Sequence, residues 1–419
     1  MRILFIVPYA PSVIRVRPYH LIRSLARRGH DLVVLTLCSS SEELLDLQRL
    51  AAVNIQVRAC RLPAWRSAWN CLGALVTGRP LQSVYSWQPE LALELRRAVC
   101  YSGCDVIHVE HLRGALYGIH ALQLIRNNGR PLPVVWDSVD CISSLFHLAQ
   151  RHSRSLMGQL MSRIELFSTE SHEGWLAGQF DRVLATSEAD SNAIWKLARF
   201  RGETPELRVL CNGVDLEHFS TSDERRDPAT IVLTGKMSYH VNVTAARYLV
   251  EEIMPLVWAR RPDARVFIVG KSPSREVRAL VGSLHGSRGP RRIEVTGAVP
   301  DLRPYLRRAT VAVAPLLYGA GVQNKVLEAM ACGTPVVASP QAHSALAASP
   351  GRDLLVGAGA KEFAHNVVAL LDDPTLQKEV GGAGRRYVET HHSWDDVAAR
   401  LEAIYLEAID SLARRHAAA

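Results

Sequence analysis

The chain has 419 residues, 48% hydrophobic and 21% charged, a composition typical of a soluble globular protein with two domains of ordinary size. Its net charge of +8 is spread along the chain, which argues against a nucleic-acid-binding protein and fits a ligand or surface that carries phosphate. No apolar run approaches the ~20 residues of a membrane-spanning helix.

The eight cysteines include no Cys-x-x-Cys pair, as in a reduced protein. An apolar strand starts directly at Arg2, which leaves no room for a signal peptide. We therefore expect a cytoplasmic protein, with peripheral contact to the inner face of an anionic membrane left open.

Short apolar strands alternate with amphipathic helices, which predicts parallel α/β sheets. The strands expected in the first half are Arg2–Val7, Asp31–Leu37, Val106–Val109, Pro133–Trp136, Arg182–Thr186 and Leu207–Leu210. A polar stretch at 215–228 interrupts the pattern, which then restarts with Thr230–Thr234, Arg265–Val269, Ile293–Val295 and Thr310–Ala314. We predict two doubly wound Rossmann-like domains, 1–215 and 216–392, that face each other across a cleft, followed by a C-terminal segment, 393–419.

Polar residues follow the strands of the first predicted domain, at the edge where doubly wound sheets bind ligands. Arg15 and Arg17 follow the first strand and could reach a phosphate, although ordinary exposed arginines would look the same. Asp137 and Asp140 end a later strand, which suggests binding of an acceptor hydroxyl or a general base. The alternative for these two carboxylates is N-capping of the next helix.

Residues 64–87 contain three tryptophans together with Arg66 and Arg79. This combination fits a lid over an acceptor or a helix at a membrane interface. The alternative is a connecting helix packed into the core.

The segment 315–339 predicts a strand end, a glycine-rich loop, a short helix and a second strand. Gly319 and Gly321 remove side chains just before the helix, so that backbone N–H groups can approach an anion. Lys325 adds a positive charge, and Glu328 lies on the same helix face as an acceptor for two ribose hydroxyls. This pattern favours a nucleoside diphosphate site. A surface lysine paired to a surface or capping glutamate is the alternative.

No Asp-x-Asp and no metal-ligand spacing of His, Cys and carboxylates occurs in the sequence. We therefore expect no metal and no other cofactor, with a diphosphate neutralised by basic side chains and a helix dipole. The first strand is not followed by Gly-x-Gly-x-x-Gly, which counts against a dehydrogenase.

The segment 315–339 closely resembles the donor-binding signature of retaining GT-B glycosyltransferases of family 4, which is Glu-x7-Glu followed by Ala-Met-Ala-x-Gly-x-Pro-Val-Val. Glu328 matches the second glutamate, which in the family contacts the nucleotide ribose. The first would fall at Ala320, within Gly-Ala-Gly-Val-Gln-Asn-Lys. That sequence resembles a subgroup of bacterial exopolysaccharide sugar transferases, including those associated with PEP-CTERM systems. Gln323 or Asn324 would then contact the donor sugar.

Further motifs extend the resemblance over the whole chain. Asn212–Asp215 is similar to the family's domain junction, and Phe180–Ser187 to the last strand of its first domain. Val295–Asp301 resembles the turn whose backbone, here at Ala298 and Val299, reads the nucleotide base. Ser393-Trp-Asp and a helix to about Arg415 resemble the terminal helix that crosses back onto the first domain.

The resemblance also implies roles for residues at other strand ends. Gly235 and Lys236 stand where the family carries a Gly-Arg phosphate contact, with a solvated loop lysine as the alternative. The family's second lysine would fall near Val241, so that Lys325 would take over its charge.

In the first domain, Glu110 replaces a family histidine that contacts the donor sugar, and His111 follows it. Either could approach the anomeric carbon, whereas His108 is expected to be buried between strand and helix. Glu173 resembles a family glutamate that faces the cleft, but it could also be any surface carboxylate.

The implied function is metal-independent, retaining transfer of a sugar, of hexosyltransferase type, from a nucleoside diphosphate to an acceptor hydroxyl. The pathway would be glycan, exopolysaccharide, glycolipid or secondary-metabolite biosynthesis. The alternatives are a sugar-nucleotide 2-epimerase of the same architecture and a non-catalytic nucleotide-sugar-binding partner subunit. The base, the sugar, the acceptor and the oligomeric state stay open.

Overall fold

The computed structural model describes residues 1–12, 15–51, 54–152, 156–281, 292–319 and 321–417. The chain divides into two compact units, one made of Met1–Cys211 with Trp394–Ala419 and the other of Asn212–Ser393. The boundary predicted at 215 lies just after this division.

The first unit contains a parallel sheet with strand order β3-β2-β1-β4-β5-β6-β7. Its strands are β1 Arg2–Val7, β2 Asp31–Cys38, β3 Ile55–Arg61, β4 Val106–Glu110, β5 Val134–Val139, β6 Arg182–Ala185 and β7 Leu207–Val209. Alternate residues of β1 belong to two different apolar clusters, Leu4 and Ile6 to one and Ile3 and Phe5 to the other. Both faces of the sheet are therefore buried, as a parallel sheet requires.

Helices cover both faces of this sheet. They are α1 Val16–Arg27, α2 Ser41–Leu50, α3 Ala64–Thr77, α4 Leu81–Val84, α5 Pro89–Tyr101, α6 His111–Asn128, α7 Ile142–His152, α8 Leu156–Ala177 and α9 Glu188–Phe200. The edge strand β3 is missing from the sequence prediction. Because it lies at the edge and is only partly buried, it lacks the continuous apolar run of a central strand.

The second unit contains a parallel sheet with strand order β10-β9-β8-β11-β12-β13. Its strands are β8 Thr230–Thr234, β9 Arg265–Val269, β10 Ile293–Gly297, β11 Val311–Ala314, β12 Val336–Ala338 and β13 Leu355–Val356. Its helices are α10 His240–Tyr248, α11 Met254–Trp258, α12 Arg275–Ala279, α13 Arg303–Arg308, α14 Asn324–Ala331, α15 Pro340–His343, α16 Ala360–Asp372 and α17 Pro374–His391. A π-helical turn at Leu249–Ile253 joins α10 to α11.

The last helix, α18 Trp394–Ala417, belongs to the first unit. It packs against α1, and its buried Trp394, Leu401 and Tyr405 join the apolar cluster that contains Ile3 and Phe5.

The two doubly wound α/β sheets confirm the predicted fold class. Strand order reverses between β1 and β4 in the first sheet and between β8 and β11 in the second. In open parallel sheets, ligands bind beyond the carboxyl ends of the strands at such switch points. The segments after β1, β4, β8 and β11 contain most of the predicted site residues.

Candidate active site

In the second unit, β8 and β9 are each followed by a glycine that permits a close approach of their backbones. Gly235 has φ +148°, and a Cβ on it would lie 2.7 Å from the Asn242 side-chain nitrogen. Gly270 has φ +152°, and a Cβ there would lie 1.7 Å from the Gly235 carbonyl oxygen. Only glycine fits either position, because the ends of β8 and β9 and the Asn242 side chain pack closely together there.

Lys325, in the first turn of α14, reaches the segment that follows β8. Its ammonium group donates a hydrogen bond to Asn242 Oδ1, and Asn242 Nδ2 donates to the Lys236 carbonyl at 3.1 Å. The sequence alternative paired Lys325 with Glu328. In the structure, the hydrogen-bond partner of Lys325 is Asn242 instead. Burial lowers the pKa of Lys325 to about 8, and Glu328 opposes that shift.

Glu328 lies one turn further along α14. Burial raises its pKa to about 7, and the positive charge of Lys325 opposes the shift. A cation and a carboxylate with pKa values this close to neutrality are characteristic of functional sites.

Two of the residues predicted to contact the donor sugar have polar partners in the same unit. Gln323 Nε2 donates to the Gly321 carbonyl at 3.4 Å, and Asn324 Oδ1 accepts from Asn212 Nδ2 at 3.3 Å. Gly319 is partly buried. The position of the missing family glutamate, 320, lies outside the described residues.

The other predicted donor-site residues follow the carboxyl ends of β8 and β10, which β9 separates in the sheet. Lys236 is exposed after β8, so the solvated-lysine interpretation stays open for it. Ala298 is exposed and Val299 partly buried after β10.

Asn242 and His240 are polar residues of this edge that the sequence prediction missed. His240 Nδ1 lies 2.9 Å from the Tyr318 hydroxyl, which ties the segment after β8 to the segment after β11. Their position at the start of the helix after β8 is the signal that could have indicated them.

In the first unit, the carboxyl end of β4 carries a buried carboxylate. Glu110 is 1% exposed and accepts a hydrogen bond from the Tyr9 hydroxyl at 2.8 Å. Burial, together with the nearby Asp137 carboxylate, raises the pKa of Glu110. A carboxyl group that keeps its proton near neutrality can donate a hydrogen bond or act as an acid.

Arg17 and Asp137 form a buried ion pair beside Glu110. The Arg17 Nε–Asp137 Oδ2 distance is 2.8 Å, and the side chains are 5% and 0% exposed. An exposed Arg17, one of the sequence alternatives, is therefore wrong. Arg15 differs, because its side chain is 39% exposed, pairs with Glu43 at 3.1 Å and stacks over Tyr9.

His108 lies behind the ion pair and is fully buried, as expected. Its Nε2 is 3.7 Å from Asp137 Oδ2, and its Nδ1 is 2.8 Å from the hydroxyl of Tyr405 on α18. Burial lowers the pKa of His108 to about 4, so the ring is neutral. Asp140 accepts from Thr186 Oγ1 at 3.2 Å, and burial, followed by Asp190, raises its pKa to about 6.

Two residues at this edge have strained backbones. His111 has φ 62° and Val139 has φ 67°, in the left-handed region that β-branched residues in particular avoid. Burial, followed by Arg113, lowers the pKa of His111 to about 4. Strain of this kind persists where the surrounding structure enforces it, often at active sites.

Glu173 is not the surface carboxylate that one of the two sequence interpretations suggested. It is fully buried rather than on the surface, and it accepts hydrogen bonds from the backbone N–H groups of Ile142 at 2.7 Å and Ser143 at 3.0 Å. It therefore caps the N-terminus of α7. The sequence alternative was that Asp137 or Asp140 caps this helix. In the structure, Glu173 has that role.

In the part of the chain that the structure describes, no three His, Cys, Asp or Glu side chains are grouped so that they could hold a metal ion. None of the described helices combines the length and apolarity needed to span a bilayer.

Two family models match the chain in succession. Residues 14–213 match the glycosyl transferase 4-like domain, and residues 228–373 match glycosyl transferases group 1.

Curated relatives are similar to parts or most of the chain. A GDP-mannose-dependent monoacylated alpha-(1-6)-phosphatidylinositol monomannoside mannosyltransferase of Corynebacterium glutamicum is 28% identical over 49% of this chain and 58% of its own length. A glycogen synthase of Mycobacterium tuberculosis is 25% identical over 93% of this chain and 90% of its own length. The chain thus matches little more than half of the first relative but most of the second.

Solved structures resemble the chain along almost its full length. Sucrose-phosphate synthase from Thermosynechococcus elongatus has a TM-score of 0.66 at 19% identity, covering 98% of this chain and 100% of that one. Anabaena HepE, in complex with UDP and glucose, has a TM-score of 0.67 at 14% identity, covering 97% and 100%. At these identities the likeness shows the shared fold.

Proposed function

We propose that this chain, whose two parts match the glycosyl transferase 4-like domain and glycosyl transferases group 1, is a glycosyltransferase. It would transfer a sugar from a nucleoside diphosphate to an acceptor hydroxyl with retention of configuration. The observation that carries the proposal is the position of Lys325, whose ammonium group contacts Asn242 beside the glycine-bounded end of β8. The site would thereby place a cation at the switch point of the second sheet.

The second unit would hold the donor. Negative charge grows on the diphosphate as the sugar bond breaks, and Lys325 would stabilise that charge together with Gly235, Lys236, the glycine-rich loop and the N-terminus of α14. Glu328 would accept hydrogen bonds from the ribose hydroxyls, and the backbone at Ala298 and Val299 would contact the base. Gln323 and Asn324 remain the proposed contacts to the sugar.

The first unit would supply the groups that approach the sugar and the acceptor. Glu110 and His111 are proposed near the anomeric carbon, where a protonated carboxyl group and a neutral imidazole can exchange hydrogen bonds with sugar hydroxyls. Asp140 and Arg15 are the more accessible acceptor-side residues, whereas Arg17 would act by holding Asp137 in place. The acceptor proton would pass to the departing diphosphate, so no protein nucleophile is assigned.

We propose further that the reaction needs no metal, because Lys325 supplies the positive charge that a cation would otherwise provide. Turnover in saturating EDTA should match that of untreated enzyme. An enzyme inactive in EDTA and restored by Mg²⁺ or Mn²⁺ would contradict this part.

The acceptor belongs to glycan, exopolysaccharide, glycolipid or secondary-metabolite synthesis in this proposal. Support comes from the 319–325 loop, which is similar to that of exopolysaccharide sugar transferases. The Corynebacterium relative is named for transfer to a phosphatidylinositol mannoside.

A screen of thermal stability against UDP-, GDP-, ADP- and dTDP-sugars tests the donor class, because a ligand at 100 times its Kd stabilises the folded state by about 2.7 kcal/mol. Nucleotide release is then measured with and without sugar acceptors. Release that depends on an acceptor supports transfer. Epimerised donor without an acceptor would indicate a 2-epimerase, and binding without turnover would indicate a non-catalytic subunit.

A further inference from the structure

Four large apolar side chains of helix α3 are exposed. Trp65, Trp69, Leu72 and Val76 are 67%, 67%, 59% and 88% exposed. Their spacing of four, three and four residues places them on one helix face. The opposite face buries small side chains instead, with Ser67 and Ala74 only 4% and 3% exposed. We call Trp65, Trp69, Leu72 and Val76 the exposed stripe. Because its apolar side chains face outward, this pattern predicts that the stripe is an interaction surface.

A groove of about 1170 Å³ lies beside the stripe, between α3, α4, α6 and α8. Its lining combines aromatic rings with basic side chains, among them Trp69, Trp87, Phe167, Trp175, Arg66 and Arg79. Phe167, on α8, is 80% exposed and extends the apolar surface. Within the described residues, neither Arg66 Nε nor His172 Nε2 has a hydrogen-bond partner although both atoms are buried.

The charge of this region is one-sided. From Leu47 to Pro89 the sequence has five arginines and no aspartate or glutamate. Arg66 and Arg79 lie within and just after α3, close to the stripe. Glu165, an acid of α8, accepts a hydrogen bond from the Leu81 N–H at 2.8 Å.

Tryptophan beside arginine, on a helix that exposes an apolar stripe, matches the requirements of a lipid headgroup layer. The indole rings can lie at the boundary of headgroups and acyl chains while guanidinium groups pair with lipid phosphates. We propose that the α3 face docks on an anionic phospholipid bilayer, with the stripe inserted and the groove arginines against the phosphates.

Vesicle flotation tests this proposal, using vesicles of phosphatidylglycerol with phosphatidylcholine and vesicles of phosphatidylcholine alone. The unaltered chain should float with the anionic vesicles, and added salt should weaken its binding. A Trp65→Ala/Trp69→Ala double variant should bind at least about tenfold more weakly, since affinity scales with inserted apolar area. Arg66→Ala/Arg79→Ala should lose the preference for anionic lipid.

The matched control is Trp195→Ala, which removes a half-exposed tryptophan of α9 and should bind like the unaltered chain. Both α3 tryptophans are mostly exposed, so the Trp65→Ala/Trp69→Ala variant should keep the melting temperature of the unaltered chain. No binding to anionic vesicles, or equal binding by the Trp65/Trp69 variant, overturns the proposal. Concentration-dependent dimerisation that the Trp65/Trp69 variant abolishes, without vesicle binding, would assign the face to a second copy and also overturn it.

Discussion

Lys325 and Glu328 have pKa values displaced toward each other, to about 8 and about 7. Burial disfavours the charged form of each group, so either can change its charge near neutral pH. A diphosphate beside Lys325 would favour the ammonium form. We therefore expect donor binding to raise the pKa of Lys325.

This pKa predicts the alkaline limb of the pH–rate profile. Lys325 is charged below about pH 8 and neutral above it, so kcat/KM, which reports the free enzyme, should fall with an apparent pKa of about 8. Lys325→Arg keeps its charge at any accessible pH and should remove that limb while lowering the rate. An unchanged limb in Lys325→Arg would assign the titration to another group.

Loss of the Lys325 charge should impair the chemical step more than binding. A cation that meets growing negative charge stabilises the transition state more than the ground state. Lys325→Ala should therefore lower kcat by about 10²–10³, comparable to removal of one oxyanion donor, with a smaller change in donor affinity. The control is Lys378→Ala, an exposed lysine of the same unit, which should turn over normally.

Glu328→Ala should weaken nucleotide binding and leave the fold intact. A hydrogen bond to a charged group contributes about 1.5–3 kcal/mol, so calorimetry should show an affinity loss of at least about tenfold. Glu379→Ala, an exposed carboxylate of the same unit, serves as the control. Equal nucleotide affinity in Glu328→Ala and the control would refute the ribose assignment.

The sequence alone could predict Lys325 and Glu328 as site residues, because a strand, a glycine-rich loop and the lysine follow each other within a short segment. It could not predict the partner of Lys325, since Asn242 comes from a different strand–helix connection. Nor could it predict the burial of Arg17, which depends on Asp137 from a distant strand. Contacts across strands require the strand order, and local spacing does not contain it.

At the scale of elements, α7 depends on a carboxylate from α8. Glu173→Gln keeps the shape of the side chain but replaces one of the two oxygens that accept N–H groups. An unsatisfied buried N–H costs about 1–3 kcal/mol. Chemical denaturation should show a loss of that size, whereas Glu170→Gln, on the more exposed face of α8, should cost less. Equal losses in both variants would argue against the cap.

Helix α3 shows where periodicity is ambiguous. The spacing of Trp65, Trp69, Leu72 and Val76 indicates an apolar stripe. It does not say whether the stripe faces the core or the outside, because a core face and a docking face have the same period. Only the surrounding elements decide. The core-packed alternative is therefore wrong for these side chains, which the structure exposes.

At the scale of the whole molecule, both sheets could be predicted in outline because buried parallel strands form long apolar runs. The short strand β13 and the edge strand β3 lack such runs, and neither was predicted. The resemblance supplied what composition cannot, namely the return of the last helix to the first unit.

Removal of α18 should unfold the first unit. The helix buries Trp394, Val397, Leu401, Ile404 and Tyr405, whose burial contributes roughly 10 kcal/mol, comparable to the stability of a whole domain. A chain ending at Ser393 should lose its cooperative unfolding transition for the first unit. The fragment 212–393 should retain one of its own. A chain ending at Ser393 that melts like the full chain would contradict this.

The position of α18 also sets an order of events on the ribosome. The second unit is complete once Ser393 has emerged, whereas the first unit still lacks the helix that covers Ile3 and Phe5. The half of the protein that is translated first should therefore mature last. Until α18 has emerged, the apolar surface beside β1 stays uncovered, and nascent chains should depend on chaperones up to that point.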